Sequence, residues 1–305
     1  IDDKMKKIIE EEVDFVEKEP NPDPESATEH LFSNSEELDK SCSIEPSDTK
    51  DKIVMVDSIN HALSEELEFN DKMMIYGEDV AGDKGGVFTA TRGLTEKFGN
   101  DRVYNSPLAE SSIIGTAIGL SIAGYKPVVE IQFGDYIWPA MMQIRNELAT
   151  MRYRSAGNWI CPIVIRVPVG GYIHGSLYHS QSIDGYFAHT PGLKIAYPSN
   201  AADAKGLLKY ACRSNDPVIF MEHKGIYRQG FASSLEPDED YLLPFGKAKV
   251  VQEGNDLTIV TWGAIVQKAV EASRNSKKSI EIIDIRTLNP LDTDTILNSI
   301  KKTNR

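Results

Sequence analysis

Glu110 combines a titratable group with surroundings that could make it reactive. It stands in SPLAESSIIGTAIGLSIAGYKPVVEIQFGDYIWPAMMQIRNELA, residues 106–149, at the mouth of an almost uncharged helix that leads into an apolar strand. A carboxylate at the edge of an apolar layer has its charged form disfavoured by desolvation, which suits a carboxyl group to proton transfer. A plainer role is also open: an acid near Ser111 complements the positive end of the helix that starts there. A second candidate group is three histidines, His174, His179 and His189, crowded into one loop, YIHGSLYHSQSIDGYFAHTPGL. Imidazole titrates near neutrality, so this crowding favours a proton-transfer role for at least one of them.

Other chemistries lack their motifs. The glycines of AGDKGGVF, Gly82, Gly85 and Gly86, follow neither the dinucleotide fingerprint nor the phosphate loop. No His-Glu or Cys-Cys metal spacing occurs, and no Gly-x-Ser-x-Gly elbow. Cys42, Cys161 and Cys212 are too few and too scattered for a disulfide framework, which favours a reducing compartment.

The elements that must hold these residues are legible as apolar runs. Val56, Ile59, Leu63 and Leu67 recur at helical steps after Ile53, and MMIYG at 73–77 reads as a short buried strand. Helix 92–98, strand 102–105, helix 111–124, strand 127–132 and helix 135–153 follow, then strand 162–171, strand 194–197, helix 200–212 and strand 217–222. This alternation predicts an α/β fold, a doubly wound, mostly parallel sheet covered on both faces, over residues 51–222. Ligands of such sheets sit beyond the strand carboxyl ends, so the histidine loop after strand 162–171 is a site candidate.

Residues 223–245 lack periodicity and read as an interdomain connection. A second α/β unit opens at 246 with strands 247–251, 257–261 and 279–285 and helices 264–275 and 292–301. It is short enough that the chain is expected to continue past Arg305. Ahead of the first domain, Met5, Ile8, Ile9, Val13 and Val16 predict an amphipathic helix over 1–19. Proline-rich, polar residues 20–50 predict an extended or disordered linker. The helix and linker suggest the end of a preceding domain.

The net charge of -13 is misleading as an average, because residues 1–50 carry 16 acidic and 6 basic residues and the remainder is nearly neutral. With no basic stripe and no apolar run of membrane-spanning length, neither nucleic acid nor membrane is an expected partner.

The blocks YGEDV, GGVF, GLTEKFGNDRVYNSPLAESSIIGTAIGLSIAGYKPVVEIQFGDYIWPA, QIRNELATMRYRS, GSLYHSQS, AHTPGLKIAYPS and IIDIRTLNPLDTDTI together resemble the β subunit of thiamine-diphosphate-dependent 2-oxo acid dehydrogenase E1 components. The likeness runs almost continuously over 53–305, while residues 1–30 resemble the end of the α subunit, as in a fused α-β chain. It implies a transketolase-like pyrimidine-binding domain followed by a truncated transketolase C-terminal-like domain. The glutamate of the family's PL-x-E motif, which hydrogen-bonds the cofactor's aminopyrimidine, corresponds to Glu110, and the ring pocket to Leu108, Gln132 and Tyr136. The histidine of the YHSQS block, which assists acyl transfer to a lipoyl group, corresponds to His179, with His174 and His189 as supporting residues.

The family holds diphosphate and Mg2+ through a Gly-Asp-Gly segment of the α part. No such segment occurs here, so no metal ligand is assigned to this chain. The resemblance also admits a structural K+ held by backbone carbonyls. It implies as partners an E1 α part, fused or separate, a lipoyl-bearing E2 acyltransferase and a 2-oxo acid, branched-chain first and pyruvate next. The assembly would be a homodimer of fused chains or an α2β2 complex, in the cytoplasm or, in a eukaryote, the mitochondrial matrix. The alternatives are a transketolase-like transferase acting on sugar phosphates and a non-catalytic dimerisation part.

Overall fold

The computed structural model describes residues 1–46 and 49–305. Helix α1 (Asp2–Val16) buries none of its residues and leads through a 3-10 turn and helix α2 (Glu36–Asp39) to strand β1 (Thr49–Ile53). Helix α3 (Met55–Phe69), β2 (Met73–Gly77), α4 (Leu94–Phe98), β3 (Val103–Asn105), α5 (Glu110–Ile122) and β4 (Lys126–Glu130) follow. Next come α6 (Met151–Arg154), β5 (Val164–Val169), α7 (Asp184–Ala188), β6 (Lys194–Ala196), α8 (Ala201–Arg213) and β7 (Val218–His223). The remaining elements are β8 (Ser234–Pro237), β9 (Lys249–Gln252), β10 (Leu257–Thr261), α9 (Ala264–Arg274), β11 (Ile280–Asp284), β12 (Thr287–Asn289) and α10 (Thr293–Thr303).

The main sheet has seven strands in the order β12-β6-β7-β5-β4-β2-β3, parallel except at β12. Strands such as VIRVPV, buried at every position, suit a sheet covered on both faces. One face packs on α3 and α8 through Ile59, Leu63, Leu207 and Leu208, the other on α5 and the 137–151 segment through Ile113, Ile114, Ile144 and Leu148. A second sheet, β10-β11-β9, carries α9 and α10.

Three strands, β1, β8 and β12, escaped the sequence patterns. β8 pairs with β1, and β12 leaves the second unit to pair antiparallel with β6, binding the two units through one sheet edge. The same junction holds an ion pair, with Arg286 donating to both oxygens of Asp203 at 2.9 and 2.7 Å. Beside it, Asp284 accepts from Ser199 Oγ at 2.5 Å, and burial with the nearby Asp203 charge pushes its pKa up to about 7.

Two expectations about local structure need correction. The helix anticipated over 135–153 is broken into 3-10 turns at Gly134–Tyr136 and Trp138–Ala140, a π-helical segment at Gln143–Leu148, and α6. Pro139 has no amide proton and cannot sit inside a continuous helix, and π segments of this kind cluster at functional sites. The anticipated linker 20–50, of which residues 47 and 48 lie outside the described residues, is laid on the body rather than loose. Ser33 N donates to Asp216 at 2.8 Å, Tyr210 OH to Asp39 at 2.8 Å and Ser43 N to the Leu242 carbonyl at 2.9 Å. Of its apolar residues, Leu38 and Cys42 pack on the core. A few specific ties outweigh a composition that favours solvent.

Candidate functional site

The carboxyl ends of β5, β4, β2 and β3, neighbours in the sheet, discharge their loops onto one rim. Beyond β2 stand Glu78 and Asp79, and beyond β4 stand Gln132, Phe133 and Tyr136. Past β3 the chain turns through Leu108 into α5, whose first residue is Glu110. Past β5 runs the loop that carries His179.

The tightest part of the rim is aromatic. The edges of Phe133 and His179 meet at 4.7 Å between ring centroids, Tyr136 stands 5.4 Å from Phe133 and 5.6 Å from His179, and all three pairs are edge-to-face. His179 Nδ1 lies 2.5 Å from the Gly175 carbonyl oxygen, which can only accept, so Nδ1 carries a proton. In the neutral ring Nε2 is then the acceptor, and Tyr136 OH donates to it at 2.8 Å. This leaves Nε2 as the atom that exchanges protons. Gly175 permits the arrangement, since a Cβ there would stand 2.5 Å from His179 Cγ.

Acidic and amide groups line the rest. Gln132 Nε2 donates to Asp79 Oδ2 at 2.8 Å. Glu110 is partly buried, and Ser111 beside it donates to the Pro139 carbonyl at 2.5 Å, tying the start of α5 to the turn just after Tyr136. Glu78 Oε1 is buried without a hydrogen-bond partner. Desolvation, with the Glu110 and Asp79 charges behind it, raises the Glu78 pKa above the usual carboxylate range.

Of the residues singled out in the sequence, the structure brings Tyr136 and His179 into contact, and sets Glu110 against Glu78, with Gln132 bonded to its neighbour Asp79. Leu108 stands apart, 81% exposed, and His174 and His189 are exposed rather than part of the aromatic cluster. Sequence patterns left Glu78, Asp79 and Phe133 unassigned. The available signal was their position, directly after runs that read as parallel strands.

Below the rim lies a different arrangement. Arg166, fully buried, donates through Nε and Nη2 to Glu222 at 2.7 and 2.8 Å and through Nη1 to Glu130 at 2.8 Å, and Tyr227 OH donates to Glu222 at 2.6 Å. Burial opposes the charge on Arg166, but Glu222 and Glu130 outweigh it and raise its pKa. This network forms the floor of the rim, where one cation bridges both carboxylates by hydrogen bonds.

An acidic and amide-lined rim beside an aromatic wall fits the ring end of a flat nitrogen heterocycle: Glu78 Oε1 lacks a partner and Tyr136 offers a face. Among the described residues no group of three or more His, Cys, Asp or Glu is placed to hold a metal ion. The donor set of the rim fits the pyrimidine end of thiamine diphosphate.

Fold and rim together define the class. Residues 51–229 match the family "Transketolase, pyrimidine binding domain" and residues 246–305 "Transketolase, C-terminal domain". The chain is 49% identical over 253 residues to the Bacillus subtilis 2-oxoisovalerate dehydrogenase subunit beta, covering 82% of this chain and 76% of that protein. It is 46% identical over 257 residues to the pyruvate dehydrogenase E1 component subunit beta of the same organism, covering 83% and 78%, and 45% to a Staphylococcus aureus counterpart. The fold also matches a split gene transketolase (inactive beta4 tetramer), with a TM-score of 0.65, 24% identity and coverage of 82% and 76%. The chain belongs to the family of E1 β subunits of 2-oxo acid dehydrogenases, thiamine-dependent oxidoreductases. Among the described residues no helix is long and apolar enough to cross a membrane.

Proposed function

We propose that this chain supplies the pyrimidine-binding half of an E1 active site that decarboxylates a 2-oxo acid and passes the acyl group to the lipoyl group of an E2 acyltransferase. The single observation that carries this reading is the rim itself, where the Glu110 charge acts on the partnerless Glu78 beside the hydrogen-bonded Tyr136–His179 pair. When bound, thiamine diphosphate supplies the carbanion and electron sink.

The chain's own residues hold and move protons around that ring. With the cofactor bound, the Glu110 carboxylate would hold the aminopyrimidine end by a hydrogen bond, and Gln132 and Tyr136 would wall the ring. His179 Nε2, held in one tautomer by the Gly175 carbonyl and met by Tyr136 OH, gives or takes the proton that accompanies acyl transfer. Leu108, exposed in the isolated chain, lines the ring pocket in the assembled enzyme. The α part, fused to this chain or separate, completes the site with the diphosphate and Mg2+ end, and a structural K+ belongs to the same picture.

A branched-chain 2-oxo acid is the favoured substrate, supported by the GSLYHSQS and AHTPGLK blocks, with pyruvate next. A sugar-phosphate transferase needs a cationic cluster near the cofactor, and the stretch GGYIHGSLYHSQS contains no Arg or Lys. The test is Glu110→Gln in E1 assembled with its α partner, assayed with a panel of 2-oxo acids and lipoamide. Loss of turnover by about 10²–10⁴-fold with an unchanged melting transition is expected. Full activity in the variant would remove Glu110 from the mechanism, and sugar-phosphate turnover by the wild type would remove the dehydrogenase reading.

A further inference from the structure

The loop that carries His179 is not held by apolar burial. None of the residues from Gly171 to Ser182 is buried, and Tyr172, Leu177 and Tyr178 are exposed, so apolar burial gives the loop no anchor. His174 and Ser176 adopt left-handed backbone, at φ 52 and 65°, which adds local strain to be offset elsewhere. Yet the ring of His179 sits in fixed contact with Phe133 and Tyr136.

The restraint comes from polar ties at the two ends of the loop. Gly170 N donates to the Gln181 carbonyl at 2.9 Å, closing the loop at its base. Gly170 O accepts from Lys224 Nζ, and Gln181 N donates to Asp135 Oδ2 at 3.3 Å. Lys224 and Asp135 are themselves buried, 1% and 6% exposed, and the Asp135 charge favours the charged form of Lys224 against its desolvation. The Lys224 ammonium also stands 5.6 Å from the centroid of Phe133, the ring whose edge meets His179. Each loop end is thus held by one of two buried side chains of opposite charge, and the Lys224 ammonium stands by the ring against which the histidine rests.

We propose that Lys224 and Asp135 are positioning residues for acyl transfer, clamping the base of the 170–181 loop so that His179 is presented at the rim. The proposal rests on the acyl-transfer role of His179 given above. Neither residue touches the reacting atoms. Burial lowers Lys224 to about 8, so the clamp is charged at neutral pH. The clamp separates two half-reactions: decarboxylation depends on Glu110 and the ring pocket, whereas transfer to the lipoyl group depends on where His179 stands.

The experiment compares wild type, Lys224→Met, Lys224→Gln and His179→Ala in complete E1 assembled with its α partner. Three quantities are read: decarboxylation with an artificial electron acceptor, reductive acylation of a lipoyl domain, and amide hydrogen exchange over residues 171–182. For Lys224→Met, acylation should fall about 10–100-fold while decarboxylation changes by less than about 3-fold, and loop exchange should accelerate with β5 and β7 unaffected. Lys224→Gln keeps a donor for the Gly170 carbonyl without the charge, and should fall between. If the Met variant does not assemble, the Gln variant carries the comparison. Unchanged loop exchange, or equal loss in both half-reactions, would overturn the clamp. If His179→Ala leaves acylation intact, the role of His179 fails, while the exchange measurement still decides whether Lys224 holds the loop.

Discussion

Carboxylates at the ends of neighbouring strands meet opposite fates in this protein. Glu130 ends β4 and points into the floor, where Arg166 bridges it to Glu222 and hydrogen-bonds both carboxylates. Glu78 follows the end of β2, the next strand, and has a buried oxygen with no partner and two further acids near it. Burial raises the pKa of both, but only at Glu130 does a cation oppose the shift. Matched charges mark a group kept for architecture. An unmatched one, held against its own desolvation, marks a group kept for a ligand.

The comparison is broken most forcefully by removing the cation. Arg166→Met leaves Glu130 and Glu222 buried and uncompensated, so unfolding by denaturant should show a loss of about 3–5 kcal/mol. A change below about 1 kcal/mol would mean that the floor is not held by its charges, and the contrast with the rim would dissolve.

Asp284 tests the same rule away from the site. It is a buried acid at the junction of the two units, pushed up to about 7 by burial and by Asp203. Its folded pKa lies above its unfolded value, so the folded state binds the extra proton between about 4 and 7. Stability from this group is present at low pH and is lost as pH rises through about 7. Asp284→Asn keeps an oxygen for the Arg286 amide, which donates at 2.9 Å, and an amide for Ser199 Oγ. The variant should be about 1 kcal/mol more stable than wild type at pH 8, and the gain should vanish near pH 5. Denaturant midpoints at the two pH values measure it. A gain independent of pH would show that ionisation of Asp284 is not the cause.

Much of this architecture was legible because parallel strands are buried on both faces and announce themselves as unbroken apolar runs. MMIYG falls at the ends expected of it. Where pattern failed, the cause was specific pairing rather than periodicity. β12 is three residues long and exists because it finds the edge of β6, and the 23–46 segment lies on the body through individual hydrogen bonds. The 135–153 segment has a helical apolar pattern, yet Pro139 and the π segment reshape it into the wall of the rim. For the site, Glu110 stood out by its apolar surroundings and His179 as one of three crowded histidines, while Gln132, Tyr136 and the choice among the histidines came from resemblance to a family. Glu78 was hidden because its meaning lies in what it lacks, and a missing partner leaves no mark in a sequence.

The smallest effect is therefore the most discriminating. Glu78 is only partly buried, so solvent screens much of its cost, and relieving that cost should move stability by less than about 1 kcal/mol. The direction carries the argument. Its folded pKa is raised, so its ionised form is a liability that grows as pH rises, and Glu78→Gln should raise the melting temperature slightly at pH 8 and not at pH 4. Turnover by the assembled enzyme should fall in the same variant, because the unanswered oxygen at the rim is the one a ligand needs. A fall in stability would place Glu78 with Glu130, as a structural acid whose partner is satisfied in some other way. A rise in stability with turnover intact would leave it a tolerated defect, and the rim would then rest on Glu110 alone.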